Sequence, residues 1–286
     1  MAATREERQG SGREALASIE ISLLLEAICR RYGRDFRSFA QASLERRVIE
    51  LVESAGAASI ADLIPRVLRD EVFASAAIEA LGARPSEMFR DPAFHSALRE
   101  RVIPALKTWP RVKAWVAGCG AGEEAYATSI VLAEAGLGAR STIYATDASE
   151  VALAKAREGI YPTDRLRAFT QAYLEAGGAH PFSDYYRVSY GAAIVAPEIR
   201  TPISFMQHDL TADGALGEMH LVVCRDLLVY FDRALHARAV AIFADSLVRG
   251  GFLCLGVKED LGCEPAALGL AVVDDRAGIF KRVARP

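Results

Sequence analysis

The stretch at residues 112–126, VKAWVAGCGAGEEAY, carries the clearest chemical signal in the chain. An apolar run that predicts a strand is followed by three glycines at alternate positions, Gly118, Gly120 and Gly122. Glycine has no Cβ, so a ligand can approach this backbone closely and positive φ angles cost little. The pattern predicts a strand, a tight turn and a helix start that together hold a nucleotide-like ligand.

Two carboxylates, Glu123 and Glu124, open the predicted helix. They would repel a pyrophosphate, which needs the uncancelled N–H groups and the positive end of the helix dipole. The glycine spacing also differs from the G-x-G-x-x-G of a dinucleotide site. A cationic ligand fits better, and S-adenosylmethionine carries a sulfonium and an ammonium group. We expect Gly118, Gly120 and Glu124 to line the amino-acid end of this cofactor, with Glu123 or Glu124 pairing with its ammonium.

A further acidic residue, Asp147, ends the next predicted strand, STIYATD at residues 141–147. A carboxylate at this position can accept hydrogen bonds from ribose hydroxyls. The alternative is that Asp147 caps the helix that begins near Ser149. Because the glycine turn and the acid occur in the order and spacing of a methyltransferase-type site, ribose binding is the favoured interpretation.

Four stretches of the chain together resemble one family; they are AGCGAGEEAY, IYATDASEVALAKAREGIYP, VVCRDLLVYFD and GGFLCLGVKEDL. Fainter similarity extends through SEMFRDPAFH, residues 86–95, and YGRDFRSFAQASLERRV, residues 32–48. The family that they resemble is that of the chemotaxis receptor methyltransferases, the CheR-type protein-glutamate O-methyltransferases. The resemblance implies methyl transfer from S-adenosylmethionine to glutamate side chains on the cytoplasmic helices of a chemoreceptor. The products would be glutamate γ-methyl esters and S-adenosylhomocysteine.

The resemblance assigns roles to residues that would otherwise pass as ordinary. It implies that Arg84, Ser86 and Arg90 lie beside the cofactor, although the family has asparagine and threonine at the first two positions. Arg90 would also lie near the transferred methyl group, where its planar guanidinium suits a substrate carboxylate. Tyr230 would help to position the reacting groups, so Arg90 and Tyr230 are the expected catalytic residues.

The resemblance also implies how the cofactor pocket is closed. Asp209 and Leu210 resemble an Asn-Leu pair beside the adenine, where an aspartate can accept hydrogen bonds but cannot donate them. Arg225 and Asp226 follow the next predicted strand, and the family normally has asparagine in place of Asp226. A carboxylate there could stabilise the sulfonium but would oppose an approaching glutamate carboxylate. Structural roles stay open: an ion pair for Arg225 and a buried aromatic for Tyr230.

The elements that must position these residues alternate between strand and helix from about Trp109 onward. Predicted strands lie at 112–117, 142–146, 220–224 and 251–255, and predicted helices at 123–135, 149–158 and 232–248. This order predicts a parallel, doubly wound α/β sheet with ligands at the carboxyl ends of its strands. A strand pair over 270–284, turning near Gly278, would close it. We therefore expect a Rossmann-like methyltransferase domain over 109–286.

One part of this domain, residues 181–207, has short β-prone runs separated by Gly191, Pro197 and Pro202. These predict a small antiparallel β insert. In the family, such an insert binds a receptor's C-terminal peptide by adding a strand to its edge. It could equally be an inert excursion.

Three regions precede the methyltransferase domain. Residues 1–18 are polar and predict a mobile tail, 19–83 show the three- and four-residue apolar spacing of three or four short helices, and 84–108 form a linker. We therefore expect a small all-α N-terminal domain. Residues 30–47 hold six arginines against two acidic residues, and the resemblance implies that this region, including Arg46 and Arg47, helps to hold the receptor. The alternative is a solvated helix face.

The composition limits the remaining possibilities. A net charge of −3 gives no general basis for binding nucleic acid, and no apolar run approaches the roughly 20 residues that cross a bilayer. We therefore expect a cytoplasmic protein with no nucleic-acid partner and no membrane insertion. We also expect no metal, because a glutamate carboxylate is already ionised at neutral pH and needs alignment more than a general base.

Two other functions stay open. The first is a signalling module that binds S-adenosylmethionine, S-adenosylhomocysteine or the receptor but is catalytically weakened; Asp226 and the altered GVKEDL segment motivate it. The second is a small-molecule or RNA methyltransferase, which keeps the fold but does not explain the N-terminal half of the chain.

Overall fold

The computed structural model describes residues 5–82 and 87–283, which divide into two compact units. The first unit contains the described residues up to 82 together with Tyr230–Ala234. The second unit contains the described residues from 87 to 229 and from 235 to 283. None of the helices in these ranges combines the length and the apolar character that crossing a membrane requires.

The first unit is a helical domain around one apolar core. Its helices are α1 (Arg5–Tyr32), α2 (Gln41–Ser54), α3 (Leu63–Arg69) and α4 (Glu71–Leu81). The predicted apolar faces are buried, with Leu24 and Ile28 of α1, Val48 of α2 and Val67 of α3 at zero exposure. The all-α prediction is confirmed for this region.

The predicted mobile tail, residues 1–18, overlaps α1, which begins at Arg5. Residues 1–4 lie outside the described residues. This part of α1 contains Gly10, Ser11 and Gly12. Arginine, glutamate and alanine surround them, and these strong helix formers outweigh the cost of two glycines.

The second unit holds the strands of the fold. They are β1 (Val112–Ala117), β2 (Ser141–Asp147), β3 (Ile160–Pro162), β4 (Tyr186–Ser189), β5 (Ala192–Val195), β6 (Ile203–Gln207), β7 (Met219–Cys224), β8 (Leu247–Leu255), β9 (Leu270–Asp274) and β10 (Ile279–Arg282). The remaining helices of the chain are α5 (Pro92–Ala97), α6 (Ile103–Leu106), α7 (Glu123–Glu134), α8 (Glu150–Glu158), α9 (Leu166–Glu175), α10 (Pro197–Arg200) and α11 (Arg233–Ser246). The predicted linker therefore contains α5 and α6.

A seven-stranded sheet organises this unit, in the order β6-β2-β1-β7-β8-β10-β9. The first five strands are parallel, and β10 runs antiparallel to both β8 and β9. Strand β1 is central and almost wholly buried, as expected of a parallel strand that is covered on both faces. The doubly wound prediction is confirmed, and so is the closing strand pair, with Gly278 at φ 64° between β9 and β10.

A second, three-stranded antiparallel sheet has the order β3-β5-β4. It confirms the predicted antiparallel insert but corrects the bounds, 181–207. Strand β6 is not part of it: Ile203 pairs with Ile143 in the large parallel sheet. Strand β3 is part of it, although it lies before residue 181. Local pattern could not show this, because the partner of β6 is a strand about 60 residues earlier in the chain.

A buried carboxylate, Glu134, joins three elements of the second unit. Its Oε1 accepts hydrogen bonds from the hydroxyls of Tyr173 and Tyr185, the latter at 2.8 Å, and its Oε2 forms a 2.5 Å ion pair with Arg99. Only 3% of its side chain is exposed. Burial alone would raise the pKa of Glu134, but the two tyrosine hydroxyls and the guanidinium outweigh it and lower the pKa below its usual 4.5.

Replacing Glu134 with glutamine is expected to lower the free energy of unfolding at pH 7 by about 1–3 kcal/mol, because a charged acceptor is lost from a buried network. The folded-state pKa lies below the unfolded value, so the carboxylate stabilises fully above about pH 4.5 and progressively less as the pH falls through the folded-state pKa. Urea unfolding at several pH values measures this. The gap between wild type and Glu134→Gln should close in acid, whereas the exposed Glu158→Gln should show no gap at any pH. A gap that is constant with pH would contradict the assignment.

Candidate active site

The glycine turn lies at the carboxyl end of β1. Gly118, Gly120 and Gly122 all have positive φ, at 70°, 53° and 98°. A Cβ on Gly118 would come within 2.6 Å of Leu227, whereas a Cβ on Gly120 would meet nothing within 4 Å. Gly118 therefore makes room for a neighbouring loop, and Gly120 faces the open side on which a ligand can approach the backbone.

Asp147, at the end of β2, fastens this turn. Its Oδ2 accepts a hydrogen bond from the Gly120 N–H at 3.0 Å, and its Oδ1 accepts one from the Ser149 N–H at 2.7 Å. The N-cap of α8 is Ser149, whose hydroxyl accepts from the Ala152 N–H, so Asp147 is not itself the cap. A carboxylate has about four acceptor positions, and ribose hydroxyls could share it with the backbone.

Glu123 and Glu124, the first residues of α7, each have an arginine partner. Arg165 contacts Glu123 Oε1 at 2.8 Å, and Arg225 contacts Glu124 Oε2 at 3.0 Å. Burial raises the pKa of both carboxyls above the usual value, and the arginines oppose it only in part. Among the described residues, Glu123 Oε2 and Glu124 Oε1 have no hydrogen-bond partner, and Glu124 Oε1 lies 3.8 Å from Nε2 of the buried His95.

These two unpartnered, buried oxygens test whether the turn fits the cofactor. Buried polar atoms are normally hydrogen-bonded, so an acceptor without a protein donor is free to accept from a water or from a ligand group. Glu123 Oε2 and Glu124 Oε1 lie in the first turn of α7, directly after the open glycine turn. An ammonium group supplies donors and positive charge, which suits both oxygens. The residues present therefore fit the amino-acid end of S-adenosylmethionine.

Arg225 is a buried centre of ion pairs, with 2% of its side chain exposed. Besides Glu124, it contacts Asp91 Oδ2 at 2.6 Å and donates to the carbonyl of Arg90 at 2.9 Å. Its guanidinium also lies 4.2 Å from the centre of the Phe94 ring. Arg225 therefore has the structural role that the sequence left open, an ion pair with acids other than Asp226. Its contact with the cofactor remains a prediction.

Arg90 forms an ion pair with Asp226, Nη1 to Oδ2, at 2.8 Å. Both side chains are partly buried, at 29% and 23% exposure. The backbone around them is unusual, because Phe89, Asp91 and Asp226 all have positive φ, at 59°, 51° and 56°. Such conformations cost of order 1 kcal/mol or more for non-glycine residues and occur most often at functional sites.

Asp209 and Leu210 lie just beyond β6, at the edge of the sheet where the parallel strands β1, β2 and β7 also end. The Asp209 carboxylate accepts hydrogen bonds from the backbone and hydroxyl of Thr211 at 2.9 and 2.7 Å, so its Oδ1 shapes its own turn. Leu210 is buried at 7% exposure. Contact of this pair with adenine remains a prediction.

Three other predicted site residues remain: Arg84, Ser86 and Tyr230. Arg84 and Ser86 lie outside the described residues. Tyr230 belongs to the first unit, where it is buried and the guanidinium of Arg47 lies 4.0 Å from its ring centre. Its predicted catalytic role stays a prediction.

The predicted basic face of the first unit needs a correction. Arg47 is only 4% exposed, and its Nη1 donates to the carbonyl of Leu81 at 2.6 Å. It therefore cannot form an exposed surface for a receptor together with Arg46. The Arg46 side chain is 54% exposed and 4.0 Å from Glu50. The sequence pattern missed this because adjacent helical residues point about 100° apart, so only one of the two faces solvent.

Sequence reasoning missed three residues that support the site. Arg165 holds Glu123. Glu259 accepts hydrogen bonds from backbone N–H groups around Asp226. Arg238 donates to backbone carbonyls of the turn after β6, including that of Leu210 at 3.0 Å. Only Glu259 had a recognisable signal, since it is an acid just beyond the carboxyl end of a predicted parallel strand.

No metal site accompanies these residues within 5–82 and 87–283, where no three or more histidine, cysteine, aspartate and glutamate side chains are grouped so that they could hold an ion.

Replacing Asp147 with alanine is expected to weaken the binding of S-adenosylmethionine and of S-adenosylhomocysteine by about 1–3 kcal/mol, because ribose hydrogen bonds and the anchor of Gly120 are lost. Titration calorimetry measures both affinities. The matched control is Asp184→Ala, an exposed aspartate far along the chain. Unchanged affinity in a folded Asp147→Ala protein would remove Asp147 from the site.

Comparison with known families gives two matches, which follow one another along the chain. The all-alpha domain of the CheR methyltransferases matches residues 19–81, and the CheR methyltransferase SAM binding domain matches residues 84–272.

Individual relatives agree with these matches. A Pseudomonas putida protein that is named as a methyltransferase, Cher3, is 41% identical over 87% of this chain and 91% of its own length. A chemotaxis protein methyltransferase of Listeria innocua is 29% identical over 86% of this chain and 91% of its own length. Chemotaxis protein methyltransferase 1 of Pseudomonas aeruginosa is 29% identical over 85% and 89%. The resemblance inferred from the sequence motifs is confirmed, and the chain belongs to the CheR methyltransferase family as an S-adenosylmethionine-dependent methyltransferase.

Proposed function

We propose that the protein transfers the methyl group of S-adenosylmethionine to glutamate side chains in the cytoplasmic domain of a chemoreceptor, forming γ-methyl esters. The observation that carries this proposal is the position of Arg90. Its backbone carbonyl accepts a hydrogen bond from Arg225, which also contacts Glu124 at the start of α7, next to the cofactor turn. Its guanidinium is already paired with one carboxylate, that of Asp226. The names of the Listeria and Pseudomonas relatives support a chemotaxis substrate.

When bound, S-adenosylmethionine supplies an electrophilic methyl group and a neutral thioether as leaving group. The protein's part is mainly alignment, because a glutamate carboxylate is ionised at neutral pH and attacks without losing a proton. Glu123 and Glu124 hold the cofactor's ammonium through their unpartnered oxygens, and Asp147 holds its ribose. Arg90 orients the acceptor carboxylate with its planar pair of donors.

The proposal includes a receptor-binding surface on the first unit, but this surface contains fewer of the predicted arginines. Arg46 remains a candidate because its side chain is exposed, whereas Arg47 is buried. Arg30 and Arg37 both contact Glu26, so much of the local positive charge is already paired. The catalytic role of Tyr230 is likewise kept as a proposal.

A transfer assay tests the proposed function. The protein is incubated with methyl-labelled S-adenosylmethionine and membranes that contain chemoreceptors, and the label on the receptor is then treated with base. Glutamate methyl esters release methanol under these conditions, whereas N-methyl groups remain. Base-labile label on the receptor is expected. Label that is stable to base, or absent from the receptor, would contradict the proposal.

A second candidate is a catalytically weakened module that binds the cofactor or the receptor. The Arg90–Asp226 ion pair favours it. The Asp226 carboxylate already binds the Arg90 guanidinium, which the first candidate needs for binding the acceptor carboxylate. The two candidates differ in whether bound cofactor is turned over. Cofactor binding without transfer to any receptor would select the second candidate.

Replacing Asp226 with asparagine is expected to raise kcat/KM for the receptor about threefold to tenfold. Asparagine keeps a side-chain oxygen that can accept from Arg90 and hold it in place, while the charge that competes with the acceptor carboxylate is lost, which corresponds to roughly 1 kcal/mol for a partly exposed pair. Initial rates against receptor concentration measure this, with the exposed Asp184→Asn as the control for charge alone. A lower rate in Asp226→Asn would mean that the charge of Asp226 is needed to hold Arg90.

A further inference from the structure

Glu259 connects the loops that follow two neighbouring parallel strands. Its Oε2 accepts hydrogen bonds from the N–H groups of Gly256 at 2.7 Å and Asp226 at 3.0 Å. Its Oε1 accepts from the N–H groups of Leu228 at 2.6 Å and Val229 at 3.4 Å. One carboxylate thus collects four backbone donors, one from the loop after β8 and three from the loop after β7.

This arrangement is built closely into the fold. A Cβ on Gly256 would come within 2.7 Å of Glu259 Oε2 and 3.1 Å of the Asp226 nitrogen, so a side chain there would displace the Glu259 carboxylate from its donors. Burial raises the pKa of the Glu259 carboxyl, and the backbone N–H donors offset this rise only in part. Four donors directed at a single partly buried side chain are what an ionised carboxylate requires when little water reaches it.

The loop that Glu259 holds carries one half of the Arg90 ion pair. Asp226 has a φ of 56°, a conformation that a non-glycine residue keeps only when its surroundings enforce it. Glu259 accepts from the Asp226 N–H itself and from the N–H groups two and three residues later. In this conformation the Asp226 carboxylate reaches Arg90 at 2.8 Å.

We propose that Glu259 is a positioning residue for methyl transfer: by holding the backbone of residues 226–229, it fixes the Asp226 carboxylate and, through it, the Arg90 guanidinium that orients the acceptor. The described hydrogen bonds of Glu259 come from the loops after β7 and β8, and none comes from the glycine turn or Asp147, so its direct effect is on the Arg90 pair and not on the cofactor turn. The expected effect of Glu259 on the rate of receptor methylation rests on the proposed function.

The isosteric change Glu259→Gln tests the proposal. An amide can accept with only one end, so its NH2 group must face one pair of the N–H donors. The kcat for receptor methylation should fall about 10- to 100-fold through misplacement of the reacting groups, while the Kd for S-adenosylmethionine should change less than about threefold. The control is Glu264→Gln, the same substitution at an exposed glutamate five residues later, which should leave both the kcat and the Kd unchanged. An equal loss of kcat and cofactor affinity in Glu259→Gln would overturn the proposal.

A double-mutant cycle separates positioning from general support of the fold. In Asp226→Gly, a positive φ costs little and the Arg90 partner is gone, so Glu259→Gln should lose most of its effect on kcat in this background. The same fold reduction in both backgrounds would show that Glu259 does not act through Asp226.

Amide hydrogen exchange gives a readout that needs no methyl acceptor. In Glu259→Gln, the N–H groups of Asp226 and Leu228 should exchange faster than in wild type, while those of β1 keep their protection. Unchanged exchange at both positions would overturn the proposal even if no receptor is methylated. Absence of methylation by wild type would instead count against the proposed function alone.

Discussion

Replacing Arg90 with alanine is expected to slow methyl transfer to the receptor about 100-fold, while the Kd for S-adenosylmethionine changes less than about threefold. The side chain of Arg90 pairs with Asp226, and its backbone carbonyl accepts a hydrogen bond from Arg225 in the network around the cofactor turn. The alanine variant keeps that carbonyl and loses the guanidinium. The acceptor carboxylate would then enter without an orienting partner and beside the uncompensated charge of Asp226.

Three variants make the test specific. Arg90→Lys keeps the charge but not the planar pair of donors, so it should recover only part of the rate. Arg90→Ala combined with Asp226→Asn removes the uncompensated carboxylate, and it should be faster than Arg90→Ala alone. Arg101→Ala, at an exposed arginine of the same segment, should match wild type. Normal turnover by Arg90→Ala would show that the family role does not carry over to this position.

Replacing Arg225 with alanine is expected to lower the free energy of unfolding of the second unit by about 3–5 kcal/mol. The guanidinium is buried, at 2% exposure, and it is the partner of both Asp91 and Glu124. Its removal leaves the Glu124 carboxylate, at 10% exposure, buried without its arginine, takes the partner from the half-buried Asp91, and removes the contact with the Phe94 ring. Buried charges that lose their partner are among the most costly changes in proteins.

Urea unfolding, with S-adenosylmethionine absent, measures the loss from Arg225→Ala. Arg249→Ala, an exposed arginine in the same unit, should change the free energy of unfolding by less than about 0.5 kcal/mol. Combining Arg225→Ala with Asp91→Asn and Glu124→Gln should restore part of the stability, since no buried charge is then left unpaired. A loss below about 1 kcal/mol in Arg225→Ala would mean that water replaces the arginine.

The elements around the site could be predicted from sequence because each signal is local. The apolar run, the glycines and the acid that follow one another in residues 112–126 determine β1, the turn and the start of α7 within a few residues. The same holds for Asp147 at the end of β2. Where a strand's partner lies far along the chain, as for β6, the local pattern gave the strand but assigned it to the wrong sheet.

Pairing between charged side chains could not be predicted in the same way. Glu123 and Glu124 were expected to face the cofactor's ammonium, and each turns out to share its charge with an arginine from another element. Glu123 and Arg165 are 42 positions apart, and Glu124 and Arg225 are 101 positions apart, so no sequence spacing rule predicts these contacts. Arg47 was also predicted wrongly. Arginine is usually exposed, so its residue type did not indicate that this position is buried.

The central claim is that this chain methylates glutamate side chains of a chemoreceptor, and peptide mapping tests it most directly. The purified cytoplasmic domain of a receptor is incubated with the protein and S-adenosylmethionine, digested, and sequenced by tandem mass spectrometry, with Arg90→Ala run in parallel. The account predicts that wild type adds the mass of one CH2 group to glutamate residues, that base removes it, and that Arg90→Ala adds far less in the same time. Methylation of lysine, arginine or nucleic acid in its place, or equal modification by wild type and Arg90→Ala, would contradict the account.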